Sequence, residues 1–301
     1  MLITEGHYLI GVTSFWLGDL HTSRRSLQLA LESHQARHTA VHLERFGQDP
    51  RAVCLVRLGL TSFQLADEAT AAESCARALE RAAELGHEYT DVYVRMFAAW
   101  YLSDSGQADA AADVVNGMPA TTQNPVAPIA RAQFSGWAHT QRGDAVTGVR
   151  LLCQAQHAAH HHGPLMFEPY ALMLLARSRL AAGEPSAAHR DATSALGIAT
   201  SEMPYHVPEA SRLVAEIEMQ TDADAGRALD RLELAADAAA GSGAVIHELR
   251  ARTSLLRAAR LHAPASVAQH ARTLQACCDA LPPASDLCDL AAARRELAGG
   301  R

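Results

Sequence analysis

Small and apolar positions recur along this chain at a spacing that predicts helices in pairs. Gly11, Gly59, Ala99, Gly136 and Ala176 are each followed seven positions later by Gly18, Ala66, Gly106, Gly143 and Gly183. Twelve positions after each first member stand Ser23, Ala71, Ala111, Gly148 and Ala188. The first members are 48, 40, 37 and 40 residues apart, and a unit of about forty residues repeated in this way marks a helical solenoid. A small residue on the first helix of each unit, facing a small residue on the second, lets two backbones approach closely. The intervening Gly suits a left-handed helix end. The acidic residue after it (Asp19, Asp67, Asp144 or Glu184) suits the start of the next helix.

Between these markers the apolar residues fall at helical spacing, as Cys54, Leu55, Leu58 and Phe63 do on one helix and Ala71, Cys75, Ala78 and Leu79 on its partner. The spacing predicts pairs at about 4–17 with 20–33, 51–65 with 68–85, 89–104 with 107–117, 125–141 with 144–160, and 168–182 with 185–200. A longer connection, 34–50, separates the first two pairs and ends in Pro50, which suits a first helical turn. Gly86, Met118-Pro119 and Gly163-Pro164 read as stops. Two less regular pairs follow at 206–220 with 224–240 and 244–262 with 265–280. A final helix at 284–297 would cap the stack, because a terminal unit has no neighbour to cover its apolar face. The whole of 1–301 reads as one domain, with regular repeats over about 4–200 and divergent repeats and cap over about 204–298.

Composition supports helices and removes several chemistries. Hydrophobic residues make up 49% but aromatics only 5%, and the abundant Ala, Leu, Arg and Glu are good helix formers. Period-2 runs that would signal strands are absent. All 26 basic residues are Arg, so a Walker-type phosphate loop and lysine Schiff-base chemistry are excluded. Net charge is −7, with no Arg-rich face, which argues against direct nucleic-acid binding. Six cysteines without CxxC spacing read as small, reduced core residues of a cytoplasmic protein. No apolar stretch approaches the ~18 residues of a membrane span, and no signal-peptide layout opens the chain.

Candidate chemistry is sparse. His34, His38 and His42, at i, i+4 and i+8, would stack on one face of a continuous helix and are the weak metal candidates. No Glu lies inside that interval in the manner of a zinc helix, and a solvated or partly packed histidine face explains the run. His157, His160, His161 and His162 end a helix, where histidine interacts favourably with the last carbonyls. Glu32 with Glu44, and Asp222 with Asp224, sit at expected turns and read as caps. No G-x-S-x-G occurs, and Gly241-Ser242-Gly243 has no preceding strand to make it a phosphate cradle. The sequence therefore predicts no enzyme, no catalytic residue and no cofactor. A stacked superhelix would instead line its concave side with first helices, and Arg57, Arg95, Trp100, Arg131, Trp137 and Arg177 are the candidate contact residues there.

The register of small residues resembles the tetratricopeptide repeat, and Ala30, Ala78, Ala155 and Ala195 fill a further small position expected of it. Narrower strings include Phe46-Gly47-Gln48-Asp49-Pro50, Ala82-Ala83-Glu84-Leu85-Gly86-His87, Phe97-Ala98-Ala99-Trp100, Leu180-Ala181-Ala182-Gly183-Glu184-Pro185 and the run from His247 to Leu255. Together these are similar to the C-terminal repeat region of large bacterial signalling proteins. Those proteins join an adenylate/guanylate cyclase or DNA-binding domain to a STAND-type ATPase and then to such repeats; MalT-like and large LuxR-type regulators are relatives. The resemblance implies an all-α, right-handed α-α superhelix of about seven helix pairs with a C-terminal capping helix. It also implies a non-enzymatic interaction or sensor module in signalling or transcriptional regulation. Its partner would be a protein, including an attached ATPase, cyclase or DNA-binding domain; the alternative is a receptor for a small-molecule effector. No cyclase, ATPase or helix-turn-helix sequence is present here, so those activities do not carry over.

Overall fold

Five left-handed turns punctuate the chain where the small-residue register places them: Gly18 (φ 84°), Ala66 (58°), Gly106 (85°), Gly143 (89°) and Gly183 (79°). The structure is a computed structural model that describes residues 1–162, 167–221 and 225–299. The expected stop at Gly163-Pro164 and the Asp222–Asp224 pair lie outside the described residues. Helix accounts for 84% of the described residues, and no strand occurs among them.

Seven pairs form. They are α1 (Leu2–Trp16) with α2 (Leu20–Ser33), then, after the short α3 (Thr39–Phe46), α4 (Pro50–Gln64) with α5 (Glu68–Leu85). Next come α6 (Glu88–Asp104) with α7 (Ala108–Asn116), α8 (Val126–Gln141) with α9 (Ala145–His162), and α10 (Glu168–Ala181) with α11 (Pro185–Glu202). The last two pairs are α12 (Val207–Gln220) with α13 (Ala225–Ser242) and α14 (Val245–His262) with α15 (Val267–Asp279). The cap, α16 (Cys288–Leu297), starts four residues later than expected, because Leu281 to Leu287 take a non-helical path after Pro282-Pro283. The connection after α2 also differs from expectation. It is a 3₁₀ turn at Ala36–His38 followed by α3, which Gly47 ends in the left-handed region (φ 67°).

Caps fix the helix starts. Asp19, Asp67 and Asp144 each accept a hydrogen bond from a threonine amide three residues on, at 3.0, 3.2 and 3.2 Å. Asp49 does the same for Ala52 at 2.8 Å, with Pro50 in the first turn. Close approach explains the small residues. A Cβ added at Gly136 would lie 3.0 Å from the Gly148 carbonyl oxygen and 3.1 Å from Leu151 Cβ; one at Gly11 would meet Leu27 Cγ at 2.8 Å. Both separations are tighter than a side chain tolerates without movement of its neighbour.

The stack does not stay open. First helices line the inside, with α4 on α6 and α10 on α12, and α14 returns to pack against α4. The Ser285 hydroxyl meets Glu68, and the Cys288 thiol lies 3.5 Å from the Ser105 carbonyl oxygen. A continuous apolar core runs from Phe15 to Ala293. The cysteine expectation needs one correction. Cys54, Cys75 and Cys278 are buried and Cys153 and Cys277 half-buried, but Cys288 is exposed at the start of the cap.

Candidate functional site

Closure decides what the inside can do. Where a wide superhelix would present an open concave surface, Trp100 is 1% exposed and Arg57 is fully buried. Trp100 packs against Phe15, Phe97, Phe167 and Tyr170 and stacks on His206 from the sixth repeat at 5.5 Å and 13°. The expectation that Trp100 and Arg57 line an open groove is therefore corrected: Tyr205 and His206 cover Trp100, and the rings of Phe15, Trp16 and Phe97 cover Arg57.

The other candidate residues are spread over the solenoid and do not form one surface. Arg95 reaches Asp91 at 2.8 Å and donates to the Val114 carbonyl oxygen at 3.1 Å, so it holds the end of α7. Arg131 donates to the Met118 and Pro119 carbonyl oxygens at 2.8 and 2.9 Å, which ties the loop after α7 to α8. Trp137 is buried, with the Arg177 guanidinium 6.0 Å from its ring centre. Arg177 itself pairs with Glu209.

Glu209 is the hub of a buried ionic network. Arg212 donates to both its carboxylate oxygens at 2.9 and 2.8 Å and to Glu216 at 2.6 Å. Arg250 binds Asp289 through two bonds of 2.9 and 3.0 Å and the Asp104 carbonyl oxygen at 2.6 Å. Burial works to raise the Glu209 pKa, but Arg212 and Arg177 outweigh it and hold the carboxyl well below its ordinary range. Asp104 has the opposite outcome. Burial lifts its carboxyl to about 6 despite Arg250 and Arg177 nearby. Here every buried guanidinium has a carboxylate, the condition under which buried charge is tolerated.

Arg57 breaks that rule. Its three nitrogens have no hydrogen-bond partner, and its guanidinium carbon lies 4.4, 5.0 and 4.3 Å from the rings of Phe15, Trp16 and Phe97. It faces a cavity of about 250 Å³ that Tyr8, Gln48 and Tyr93 also line. The Tyr8 and Tyr93 hydroxyls, from α1 and α6, meet at 3.1 Å.

The histidine candidates separate. His34 caps the C-terminus of α2, His38 lies in the 3₁₀ turn and His42 in α3, so the continuous helix their spacing suggested is broken. His42 is buried and bonds Glu5 at 2.6 Å, with its ring centre 5.9 Å from that of His34. Among the described residues no group of three or more His, Cys, Asp or Glu side chains is placed to hold a metal ion. His160 and His161 reach the carbonyl oxygens of Gln156 and His157 at 2.8 Å, the helix-end role expected of them.

A further surface escaped the sequence reading. Leu2, Ile3, Leu9, Ile10 and Leu17, at helical spacing on the outer side of α1, are 50–71% exposed. The opposite side of α1 (Thr4, Glu5, Tyr8, Gly11 and Phe15) is buried, so large apolar residues lie on both sides of this helix. At the other end of the stack, the exposed positions of α16 include Arg294 and Arg295. The signal was present in the run from Leu2 to Leu17, since a helix with apolar residues on both sides is one that expects cover on both.

The sequence matches no described protein family and no curated protein. Among solved structures, a tetratricopeptide repeat protein from Parabacteroides merdae is similar over 92% of this chain and 99% of its own, with 13% identity and a TM-score of 0.41. No helix among the described residues is long and apolar enough to cross a membrane.

Proposed function

We propose that this chain is a non-enzymatic interaction module of a bacterial signalling or transcriptional regulator, and that it docks a helical surface of its partner on the outer side of α1. The apolar stripe Leu2, Ile3, Leu9, Ile10 and Leu17 carries the reading. In a solenoid each helix pair is covered by the next. The outer side of α16 carries exposed Arg294 and Arg295, whereas that of α1 is an exposed apolar stripe. The occupant that fits is another helix laid across α1, as the next repeat would lie, from a protein partner such as the regulator's ATPase, cyclase or DNA-binding domain. A photo-crosslinking residue at Ile10, with one at the isolated exposed Leu234 as control, tests this in cells. The reading expects a discrete adduct at position 10 that maps to an amphipathic helix of a regulator. An adduct to a second copy of the chain, or equal adducts at both positions, would contradict it.

A second reading, a receptor for a small-molecule effector, is favoured by one specific observation. The interior holds a cavity, open to solvent at Tyr89, in which aromatic rings and convergent polar groups meet, the make-up of a ligand site rather than of a protein-binding groove.

A further inference from the structure

Arg57 poses a problem that the rest of the fold does not. A guanidinium stays protonated in a protein, and a buried charge without a counter-ion is among the costliest arrangements a core can hold. Three aromatic faces within 5.0 Å offset part of that cost, since each presents negative density to the cation. They cannot accept the guanidinium's in-plane N–H bonds, and all three nitrogens are unpartnered. Elsewhere inside this molecule Arg177, Arg212 and Arg250 are each matched by Glu209, Glu216 or Asp289. The missing element at Arg57 is an anion.

The space for it is present. The cavity beside Arg57 measures about 250 Å³, and its polar lining beyond the guanidinium consists of side chains able to donate to an anion: the tyrosines Tyr8, Tyr89 and Tyr93 and the amides Gln48 and Asn124. Trp16, Phe97 and Met96 supply apolar wall. Tyr89 lines the same cavity and is 50% exposed, so the cavity reaches solvent. Most of the lining comes from α1, α4 and α6 of the first three repeats, with Gln48, Asn124, Val126 and Phe167 added from the segments that enter α4, α8 and α10.

We infer that this cavity is a binding site for a small organic carboxylate, whose headgroup pairs with Arg57 and the Tyr8–Tyr93 hydroxyls while an apolar or aromatic body lies against Trp16 and Phe97. The planar fork of arginine suits a carboxylate, and a charge-assisted pair out of water gains strength and selectivity for the anion over a neutral isostere. The cavity volume limits the body to about the size of one aromatic ring with a short chain. This inference rests on the receptor reading and narrows it to one class of ligand.

The test is calorimetric titration of the purified chain, with Trp16 fluorescence as a second readout. The probes are acetate, hexanoate and 3-phenylpropanoate, each beside its neutral amide. Hexanoate or 3-phenylpropanoate is expected to bind at least about tenfold more tightly than its amide, and acetate, which lacks a body, to bind weakest. In Arg57→Met the preference for the carboxylate disappears, while the ligand-free chain keeps a thermal midpoint equal to or above that of the wild type, because an unpaired buried charge has been replaced by an apolar chain. If Arg57→Met does not fold, Tyr93→Phe carries the comparison, with carboxylate affinity reduced and the amide unaffected. Amides that bind as well as carboxylates would overturn the carboxylate class and leave the receptor reading standing. Binding of neither series would overturn both, and a carboxylate preference that survives in Arg57→Met would place the anion elsewhere.

Discussion

Arg250 donates from Nη2 to the main-chain oxygen of Asp104 at 2.6 Å, across 146 residues of sequence. Arg250 stands on the first helix of the seventh repeat, and Asp104 ends the first helix of the third. Their bond, with the two that Arg250 makes to Asp289, fastens the C-terminal repeats and cap onto the N-terminal ones. A solenoid held only by neighbour contacts unfolds piecemeal; one closed in this way has long-range contacts to lose at once.

Arg250→Ala should therefore destabilise the whole chain, by roughly 3–5 kcal/mol, because half-buried Asp289 loses its cation and the Asp104 carbonyl oxygen its donor. Arg250→Met combined with Asp289→Leu should cost less than Arg250→Ala alone. Urea midpoints of the three proteins check this; independent, additive losses would show that the pair is not coupled.

The repeat register predicts a contrast between an inner and an outer position. Gly136→Leu forces a side chain into the contact with Gly148 and should cost roughly 3 kcal/mol or more, whereas Arg150→Ala, on the exposed side of α9, should stay within about 0.5 kcal/mol. Thermal midpoints separate the two.

The turns supply a finer test. Ala66 holds a left-handed conformation (φ 58°) that its four counterparts give to glycine. Ala66→Gly should stabilise by about 1 kcal/mol, the cost of that conformation to a side chain. Gly143→Ala, where no atom crowds the added methyl, should lose a similar amount for the same reason. Denaturant titration of both variants is sufficient.

Acid should loosen the interior. Burial, with its neighbour His247, pushes the His206 pKa down to about 3, and burial pushes that of His247 to about 4. Both rings titrate near 6.5 when unfolded, so their contribution to stability is complete above pH 6.5 and drains away as pH falls toward 4 and then 3. Asp104, raised to about 6, runs the other way: its contribution is full below the ordinary carboxylate range and fades as pH rises through 6. His206→Phe, which can keep the stack on Trp100, should reduce the loss between pH 6.5 and 4 by on the order of 2 kcal/mol. A pH series of urea midpoints for wild type and variant gives the slope directly.

Local chemistry was legible in the sequence, and long-range closure was not. Gly18, Gly106, Gly143 and Gly183 announced their turns because little but glycine sits easily at positive φ, and Gly136 announced a close helix crossing. The sixth and seventh repeats read weakly for a physical reason. The chain enters α12 through a 3₁₀ turn at Pro204–His206 and α15 through one at Pro264–Ser266, and neither carries the glycine signal. Arg57 and Trp100 stood out by residue type, yet nothing near them in sequence says that Phe15, Trp16 and Phe97 close over the one and Tyr205 and His206 over the other. Arg95 and Arg131 stood out as contact residues, and nothing near them in sequence shows that both also bond backbone carbonyl oxygens. The apolar outer side of α1 lay in plain view from Leu2 to Leu17, and only the buried positions on its other side give it meaning.

In the docking proposed above, the partner meets the outside of α1 and not the closed interior. Hydrogen exchange of the chain, alone and with the partner mapped by crosslinking at Ile10, tests that placement most directly. Packed on one side and exposed on the other, α1 should exchange early in the free chain. The account predicts that the partner slows exchange across Leu2–Ser33 and leaves α8 to α10 unchanged. Slowing centred on Arg131, Trp137 and Arg177, with α1 unaffected, would contradict it.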